Sequence, residues 1–320
     1  MSDIPKSIRI TEEGPREGFQ IEPGPIATAR KLELIHALAR TGLKHMQITS
    51  FVNPKKVPGM ADAEAVVEGL KPEPGVQYHG LWLNEKGLQR AMASGKLHLE
   101  GKVNMYPSAT FLMKNQGCTQ QQYREIAGRL IEMYKGYGIP MDKGSISSAW
   151  GCNFEGAVSP ERVVALVGEL IDLAAEHGVT IKTVSLADTM AWATPLGIKR
   201  TIGAVRDKFP DLRLSLHLHD TRGMAIANAY AGMEMGVDLF DSSVAGLGGC
   251  PFGKHKGAAG NVCTEDLVFM CDEIGVETGV NLEALIDAGQ LAQEIVGHPL
   301  PGSVMMGGSL KALRDKLAVH

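Results

Sequence analysis

The stretch Leu214–Ser215–Leu216–His217–Leu218–His219–Asp220 places a leucine at every second position. Successive side chains of a β-strand point to opposite faces, so we predict a strand that buries its leucines on one face. His217 and His219 then share the other face, where two imidazoles form a bidentate grip for a metal ion. Two unrelated polar residues at the solvent-exposed end of a strand would give the same short pattern. The interpretation therefore depends on the rest of the chain.

Around this strand, short β-rich runs alternate with longer amphipathic segments. The predicted strands are Ser7–Glu13, His45–Phe51, Val76–Leu83, Leu97–Met105, Gly144–Ala149, Thr183–Ala187, Arg213–His219 and Leu239–Val244. The clearest helical patterns are Thr28–Thr41, Gln120–Tyr137 and Pro160–His177. Strand–helix units that repeat every ~30 residues predict an α/β fold, a TIM (β/α)8 barrel. A doubly wound open sheet is the main alternative, but no GxGxxG motif follows the first strand.

The domain organisation predicted from this pattern is a catalytic barrel at 1–280 and a C-terminal helical appendage at 281–320. The appendage begins with a helical pattern at Asn281–Ala292, and prolines and glycines then interrupt it. It is expected to pack on the barrel or on a partner subunit, and the sequence does not decide between the two.

Composition excludes several classes of function. The 320 residues are 44% hydrophobic, carry a formal net charge of −4 and contain no basic tract, so we expect no nucleic-acid partner. No apolar run approaches the ~18 residues of a membrane span, so no membrane partner is expected. The five cysteines form no CxxC pair, which indicates reduced thiols and predicts a cytoplasmic location.

Polar residues gather at the predicted strand ends, which meet at one rim of a TIM barrel. They include Glu13, Arg16, Glu17, Gln47, Thr49, Asp188, His217, His219 and Asp220, with Asn261 and Glu265 at the start of a later helix. A carboxylate, two imidazoles and an amide oxygen around one centre suit Mg²⁺ or Mn²⁺ better than zinc. Asparagine is a favoured N-cap residue, so Asn261 is also a candidate cap for a helix that begins at Val262.

Four motifs then give a specific resemblance. They are Glu13–Gly14–Pro15–Arg16–Glu17–Gly18–Phe19–Gln20, Thr49–Ser50–Phe51–Val52, His217–Leu218–His219–Asp220–Thr221 and the run from Asp241 to Pro251 that contains Gly248–Gly249–Cys250. In this order they resemble the 3-hydroxy-3-methylglutaryl-CoA (HMG-CoA) lyases, which belong to a group of metal-dependent acyl-CoA lyases and synthases built on a TIM barrel. The likeness runs from about Ile8 to Ala288.

The resemblance implies an activity and a set of site residues. The reaction would be a retro-Claisen cleavage of a branched 3-hydroxyacyl-CoA to acetyl-CoA and a 3-oxo acid, with Mg²⁺ or Mn²⁺ as cofactor. The implied metal ligands are Glu17, His217, His219 and Asn261, and the implied catalytic residues are Arg16, Asp188 and Cys250. An acyl-CoA substrate and a homodimer or larger homo-oligomer are expected on the same ground.

The chain departs from the family pattern at positions that border the expected pocket. It has Glu17 where the family has Asp, Phe19 for Leu, Gln47 for Glu and Arg222 for Tyr, and its loop after Cys250 is longer and carries Lys254 and Lys256. Phe19, Gln47, Arg222, Lys254 and Lys256 are therefore the predicted substrate-binding residues. Gln47 and Arg222 make the site more positive, which suggests an acyl group with an additional anionic group.

Three other functions stay open at this stage. A Claisen-type acyltransferase of the same group would normally carry a further regulatory domain. A 4-hydroxy-2-oxo acid aldolase would dispense with the Gly-Gly-Cys loop. A non-catalytic barrel would not need to retain the two histidines, the carboxylate and the amide.

Overall fold

Eight parallel strands form the central sheet of the computed structural model, which describes residues 3–248 and 260–318. The strands are β1 (Arg9–Glu12), β2 (His45–Ser50), β3 (Gln77–Leu81), β4 (Lys102–Met105), β5 (Lys143–Ile146), β6 (Thr183–Asp188), β7 (Arg213–Leu218) and β8 (Leu239–Ser242). Their order in the sheet is β3–β2–β1–β8–β7–β6–β5–β4. The His98 amide, on the segment that leads into β4, donates to the Tyr78 carbonyl of β3 at 2.7 Å. The predicted TIM barrel is confirmed.

Helices follow the strands and surround the barrel. They are Phe19–Ile21, Thr28–Ala39, Ala63–Gly69, Glu85–Ala93, Ala109–Gln116, Gln120–Gly136, Pro160–Glu176, Pro195–Lys208, Ala225–Glu234, Thr264–Ile274, Leu282–Val296, Ser303–Gly307 and Leu310–Leu317. Local sequence signals define several of their ends. The Ser159 hydroxyl accepts from the Arg162 amide at 3.3 Å, as expected of an N-cap that precedes a proline.

The predicted strands are all present, and seven of the eight are shorter than predicted, whereas β6 extends one residue further, to Asp188. The largest difference is at β4, which begins at Lys102 rather than Leu97. The residues before it make single hydrogen bonds to either side, from the His98 amide to the Tyr78 carbonyl and from the Gly101 amide to the Pro140 carbonyl, but the continuous register with β5 begins at Lys102. Apolar composition alone did not distinguish this approach segment from the strand itself.

The pattern of β7 is confirmed by its burial. Leu214, Leu216 and Leu218 are each at most 1% exposed and belong to the hydrophobic core. His217 and Asp241 are register partners on β7 and β8 and both are part of the polar interior. This register brings polar residues of neighbouring strands together at the carboxyl end of the barrel.

The C-terminal segment packs on this chain's own barrel. Arg30 of Thr28–Ala39 donates to Glu294 of Leu282–Val296 at 2.7 Å, and the Gly302 amide bonds to the Ala245 carbonyl at 3.2 Å. The proposed boundary between residues 280 and 281 stays a prediction. Among the described residues, no helix is both long and apolar enough to cross a membrane.

Candidate metal centre

The first loop enters the site through a wide helical turn. After β1 the chain forms a five-residue π-type turn, Gly14–Gly18, in which the Phe19 amide bonds to the Gly14 carbonyl. A Cβ on Gly18 would lie 2.7 Å from the Leu247 Cβ, so only glycine permits this close packing. The turn carries Arg16 and Glu17 to the mouth of the barrel. Such wide turns are frequent at functional sites.

Three predicted metal ligands meet at this mouth. The Nε2 atoms of His217 and His219 are 3.1 Å apart, and the Glu17 Oε1 atom lies 3.3 Å from His219 Nε2 and 3.9 Å from His217 Nε2. Adjacent ligands of an octahedral cation with bonds of about 2.1 Å are about 3 Å apart. Two of the three separations are close to this value and the third is wider, so these side chains would hold one divalent cation after a small adjustment.

Asn261 completes the donor set and corrects one expectation. The helix begins at Thr264, with Cys263 in the capping position, so the prediction that Asn261 caps it is wrong. Asn261 instead forms an isolated antiparallel bridge with His219. It is 1% exposed, and among the described residues neither its Oδ1 nor its Nδ2 has a hydrogen-bond partner. Buried polar atoms are normally satisfied, and a cation beside the two imidazoles would satisfy the Asn261 Oδ1.

Two acidic residues, Asp241 and Glu13, lie next to His217, and the sequence alone did not predict a role for either of them. The His217 Nδ1–H donates to Asp241 Oδ2 at 3.3 Å, so Nε2, which faces the ligand cluster, is the nitrogen that would lose its proton to a bound cation. Glu13 lies 4.0 Å from the same Nδ1 and pairs with Arg16, which also contacts Glu17 at 3.0 Å. Asp241 and Glu13 stood within the quoted motifs, but only the strand register reveals their partners.

The cluster carries strong electrostatic coupling. Burial opposes charge on Glu17, but Arg16 and the two histidines outweigh it and hold the pKa of this carboxyl well below its usual range. Burial likewise opposes charge on His217, but Glu17, Asp241 and Glu13 raise its pKa to about 9. In the absence of a metal, an imidazolium thus supplies positive charge among these carboxylates. A divalent cation would take over that role and displace the proton.

Asp188 lies at the end of β6, beside the histidines. Its Oδ1 accepts from the amides of Trp192 and Ala193 at 2.7 and 3.1 Å, while its buried Oδ2 has no partner in the described part of the chain. Burial raises the pKa of Asp188 to about 6, against the opposing effect of those two amides and the histidines. The free oxygen and the raised pKa are the properties of a proton acceptor near neutral pH.

The predicted substrate-binding residues occupy different environments. Arg222 donates from one nitrogen to the carbonyls of Met190 and Ala191 at 3.0 and 2.9 Å, so its guanidinium braces the loop after β6. Phe19 is 1% exposed and packs in the core, away from open surface. Gln47 lines the polar interior of the barrel, and its buried Oε1 has no partner among the described residues. Their binding roles stay predictions.

Three predicted site residues, Cys250, Lys254 and Lys256, lie outside the described residues. The backbone on either side of that segment is closely packed, because the Gly260 amide bonds to the Gly246 carbonyl at 3.1 Å. A Cβ on Gly260 would lie 2.1 Å from the Gly248 carbonyl, so the approach requires glycine. Gly248 in turn lies against Asn261 and Glu17. The base of this segment is thus part of the candidate metal centre.

Two fully buried carboxyl groups, Glu12 and Glu265, tie these loops together. Glu12 accepts from the amides of Gly14 and Val244 at 2.8 and 2.9 Å and therefore joins the loops after β1 and β8. Glu265 accepts from the amide of Ala245, whose φ of 55° is left-handed. Burial raises the pKa of Glu12 to about 7 and that of Glu265 to about 8. From the sequence, Glu265 was expected only at the start of a helix, and no role was predicted for Glu12.

Comparisons with known proteins agree with this geometry. The model of the HMGL-like family matches residues 7–292. The chain is 40% identical to the mitochondrial hydroxymethylglutaryl-CoA lyase of Mus musculus over 292 residues, which cover 90% of this chain and 86% of that protein. It is 37% identical to the cytoplasmic 3-hydroxy-3-methylglutaryl-CoA lyase of Homo sapiens over 289 residues, 90% of this chain and 75% of that protein.

Solved structures show the same likeness. The hydroxymethylglutaryl-CoA lyase of Pseudomonas aeruginosa superposes with a TM-score of 0.86 at 37% identity, covering 98% of this chain and 99% of that one. An HMG-CoA lyase of Acinetobacter baumannii, solved in complex with coenzyme A and 3-methylmalate, superposes with a TM-score of 0.82 at 34% identity, covering 95% of this chain and 96% of that one. The loops that build the candidate centre lie within the matched part of this chain.

Proposed function

The chain belongs to the HMGL-like family of carbon–carbon lyases, and from that premise we propose that it cleaves HMG-CoA, or a closely related branched 3-hydroxyacyl-CoA, to acetyl-CoA and a 3-oxo acid. For HMG-CoA itself the 3-oxo acid is acetoacetate. The observation that carries the proposal is the convergence of Glu17, His217 and His219, beside the unsatisfied amide of Asn261. This is a donor set for a hydroxyl-binding divalent cation at the carboxyl end of a barrel.

The cofactor in this proposal is Mg²⁺ or Mn²⁺, held by Glu17, His217, His219 and Asn261. A bound divalent cation supplies Lewis acidity, which lowers the pKa of a substrate hydroxyl that reaches it. Asp241 fixes the tautomer of His217, and Glu12 keeps the turn that carries Glu17 against the loop after β8. These residues position the ligands rather than contact the substrate.

Asp188 is the proposed base for the hydroxyl proton. Its unpartnered Oδ2 accepts the proton, while the two amide bonds hold the other oxygen in place. As the O–H electrons form the new carbonyl, the adjacent carbon–carbon bond breaks. Its electron pair passes to the thioester oxygen of the acetyl part, and protonation of the resulting enolate carbon gives acetyl-CoA. Cys250 is the proposed donor of that proton, a role carried by the family resemblance alone.

Arg16 is the proposed stabiliser of the developing enolate charge. Its two terminal nitrogens contact Glu13 and Glu17, and its buried Nε has no partner in the described residues. That N–H is therefore available to a substrate oxygen. Because an arginine stays charged at all working pH values, it stabilises negative charge without a change of protonation.

A second candidate of the same mechanism is a more anionic acyl-CoA. Gln47 favours it, because this side chain is neutral where the family pattern has a carboxylate, so one negative charge that would repel an anionic substrate is missing. Arg222 supports it less, because its guanidinium already binds two carbonyls. The proposal also includes an acyl-CoA as the ligand, an assembly of two or more copies of the chain, and a cytoplasmic location. Light scattering of the purified protein and cell fractionation test the last two.

The test is acetyl-CoA release from HMG-CoA and from analogues with one further carboxylate, with Mg²⁺, with Mn²⁺ and after chelation. We expect release that requires metal, and the better substrate decides between the two candidates. Arg16→Gln should lower kcat about 10²–10³-fold. The matched control Arg213→Gln, which breaks an exposed pair with Asp238, should have no effect. Release of pyruvate from a 4-hydroxy-2-oxo acid, with no acetyl-CoA from any thioester, would overturn the proposal.

A further inference from the structure

The interior of this barrel is polar and contains a cavity of about 220 Å³. Most TIM barrels fill the same space with branched apolar side chains. Here Thr11, Gln47, Asn104, Ser185 and Ser215 line it. Ser185 is 6% exposed, and neither its hydroxyl nor the Gln47 Oε1 has a hydrogen-bond partner among the described residues. Buried polar atoms without partners indicate that the cavity holds water or a ligand.

The two ends of the cavity differ in how their charges are compensated. At the catalytic end, Glu13 pairs with Arg16, and Asp241 pairs with His217. Those carboxylates therefore separate the candidate metal centre from the rest of the cavity. The opposite end, at the amino termini of the strands, has a different composition.

Basic residues from three strands line the amino-terminal end. They are Arg9 of β1, Lys102 of β4 and Lys143 of β5. Lys102 and Lys143 are register partners on adjacent strands, where like charges repel each other. Glu100 is the carboxylate at this end and already pairs with Lys143. Within the described ranges, neither Arg9 nor Lys102 has a carboxylate within 4.0 Å, so neither cation has a direct ion-pair partner there. Lys102 is exposed at this end, and its charge acts at longer range on Asp241, whose pKa it helps to lower.

Three histidines surround the same end. The rings of His45 and His79 stack at 6.0 Å, those of His79 and His98 meet edge to face at 5.2 Å, and His98 contacts Glu100 at 3.2 Å. Burial, with help from neighbouring cations, lowers the pKa of His45 to about 4, and burial lowers that of His79 to about 4. Both rings are therefore neutral at physiological pH, and each retains one N–H that can donate a hydrogen bond.

The ligand chemistry follows from the charge. Three histidines and a glutamate suggest a metal site, but the metal-type clusters found in residues 3–248 and 260–318 both lie at the other end of the barrel. The cations also oppose a divalent metal here, whereas an anion would relieve the repulsion between Lys102 and Lys143. The volume is below the roughly 300–1,000 Å³ of pockets for drug-sized ligands, so the ligand is small.

We propose that the amino-terminal end of the barrel cavity is a second binding site, which takes a small oxyanion of the size of phosphate. Arg9, Lys102 and Lys143 supply the positive charge, and the neutral rings of His45 and His79 supply hydrogen-bond donors. The Glu13–Asp241 layer lies between this site and the metal centre, so the proposal does not rest on the proposed lyase activity.

The test is calorimetric titration of the intact protein with inorganic phosphate. Phosphate also binds metal ions, so the titration is run on the metal-loaded protein and on His217→Ala/His219→Ala. The expected result is binding in both. Arg9→Gln and Lys102→Gln, on different strands, should each weaken it at least tenfold. The control Arg213→Gln removes a cation paired with Asp238 that does not line the cavity, and it should leave the affinity unchanged.

Crystals grown with and without phosphate give the second readout. Density for a tetrahedral anion between Arg9 and Lys102 is expected only with phosphate. Absence of binding at about 10 mM phosphate, an affinity unchanged in both variants, or a cavity that contains only water would overturn the proposal. Zn²⁺ bound by His45, His79 and His98 would overturn it as well, because the site would then be a cation site.

Discussion

Asp241→Asn should weaken metal binding without unfolding the barrel. Asp241 Oδ2 accepts the Nδ1–H of His217 at 3.3 Å and is the acceptor that fixes this ring with its Nε2 atom toward Glu17 and His219. The substitution keeps the shape of the side chain but removes its charge. Loss of such an outer partner typically costs 10–100-fold in metal affinity. This range corresponds to about 1.4–2.8 kcal/mol of binding free energy.

The assay is titration with Mn²⁺, in which the free ion is followed by its electron paramagnetic resonance signal. Asp238→Asn is the matched control, because Asp238 directly precedes the same strand but pairs with the exposed Arg213. Its Mn²⁺ affinity should equal that of the wild type. Equal affinity in Asp241→Asn would refute the reasoning, because His217 would then not depend on this partner.

Three further changes have expected outcomes. Burial raises the pKa of Glu265 from 4.5 to about 8, so the folded state holds this proton more tightly and the free energy of unfolding falls as the pH rises between those values. Glu265→Gln should remove the Glu265 contribution of a few kcal/mol, so urea titrations should show a shallower fall that Glu12 and Asp188 still cause; an unchanged fall would contradict the assignment. Gly260→Ala places a Cβ 2.1 Å from the Gly248 carbonyl and should lower lyase activity about 10²-fold. The control Gly24→Ala, which has open space around the new Cβ, should leave the activity unchanged. Equal cleavage rates in the two variants would contradict the close packing at Gly260. The pKa of His217 is raised to about 9, so Mn²⁺ binding below that pH should release a proton, and the affinity should rise up to tenfold per pH unit. Calorimetry in buffers of different ionisation enthalpy measures the proton release. An affinity independent of pH would exclude a charged His217.

The sequence predicted the fold because the barrel depends on local periodicity. Leu214, Leu216 and Leu218 alternate with residues of the polar interior, and this alternation is visible in seven consecutive letters. Strand ends were less accurate, since Leu97–Gly101 alternates apolar and polar residues as a strand does, but the continuous pairing with β5 begins only at Lys102. Asn261 was assigned both a ligand and a cap role, and the helix start at Thr264 excludes the second.

The supporting residues of the site could not be predicted in the same way. Asp241 contacts His217 only because β7 and β8 pair in one particular register, and no short motif encodes that register. Glu12 bonds to Val244 and Thr264 across more than two hundred residues of chain. The charge at the amino-terminal end of the cavity likewise arises from residues on three strands. Each was visible as a polar residue in the sequence, but its partners required the fold.

The central claim is that one divalent cation binds among Glu17, His217, His219 and Asn261. Anomalous diffraction from crystals soaked in Mn²⁺ tests it most directly. We predict a single strong peak within about 2.5 Å of a Glu17 oxygen, both Nε2 atoms and the Asn261 Oδ1, which is lost in His217→Ala/His219→Ala. A peak elsewhere, or no peak at saturating Mn²⁺ in protein that still releases acetyl-CoA, would contradict the account.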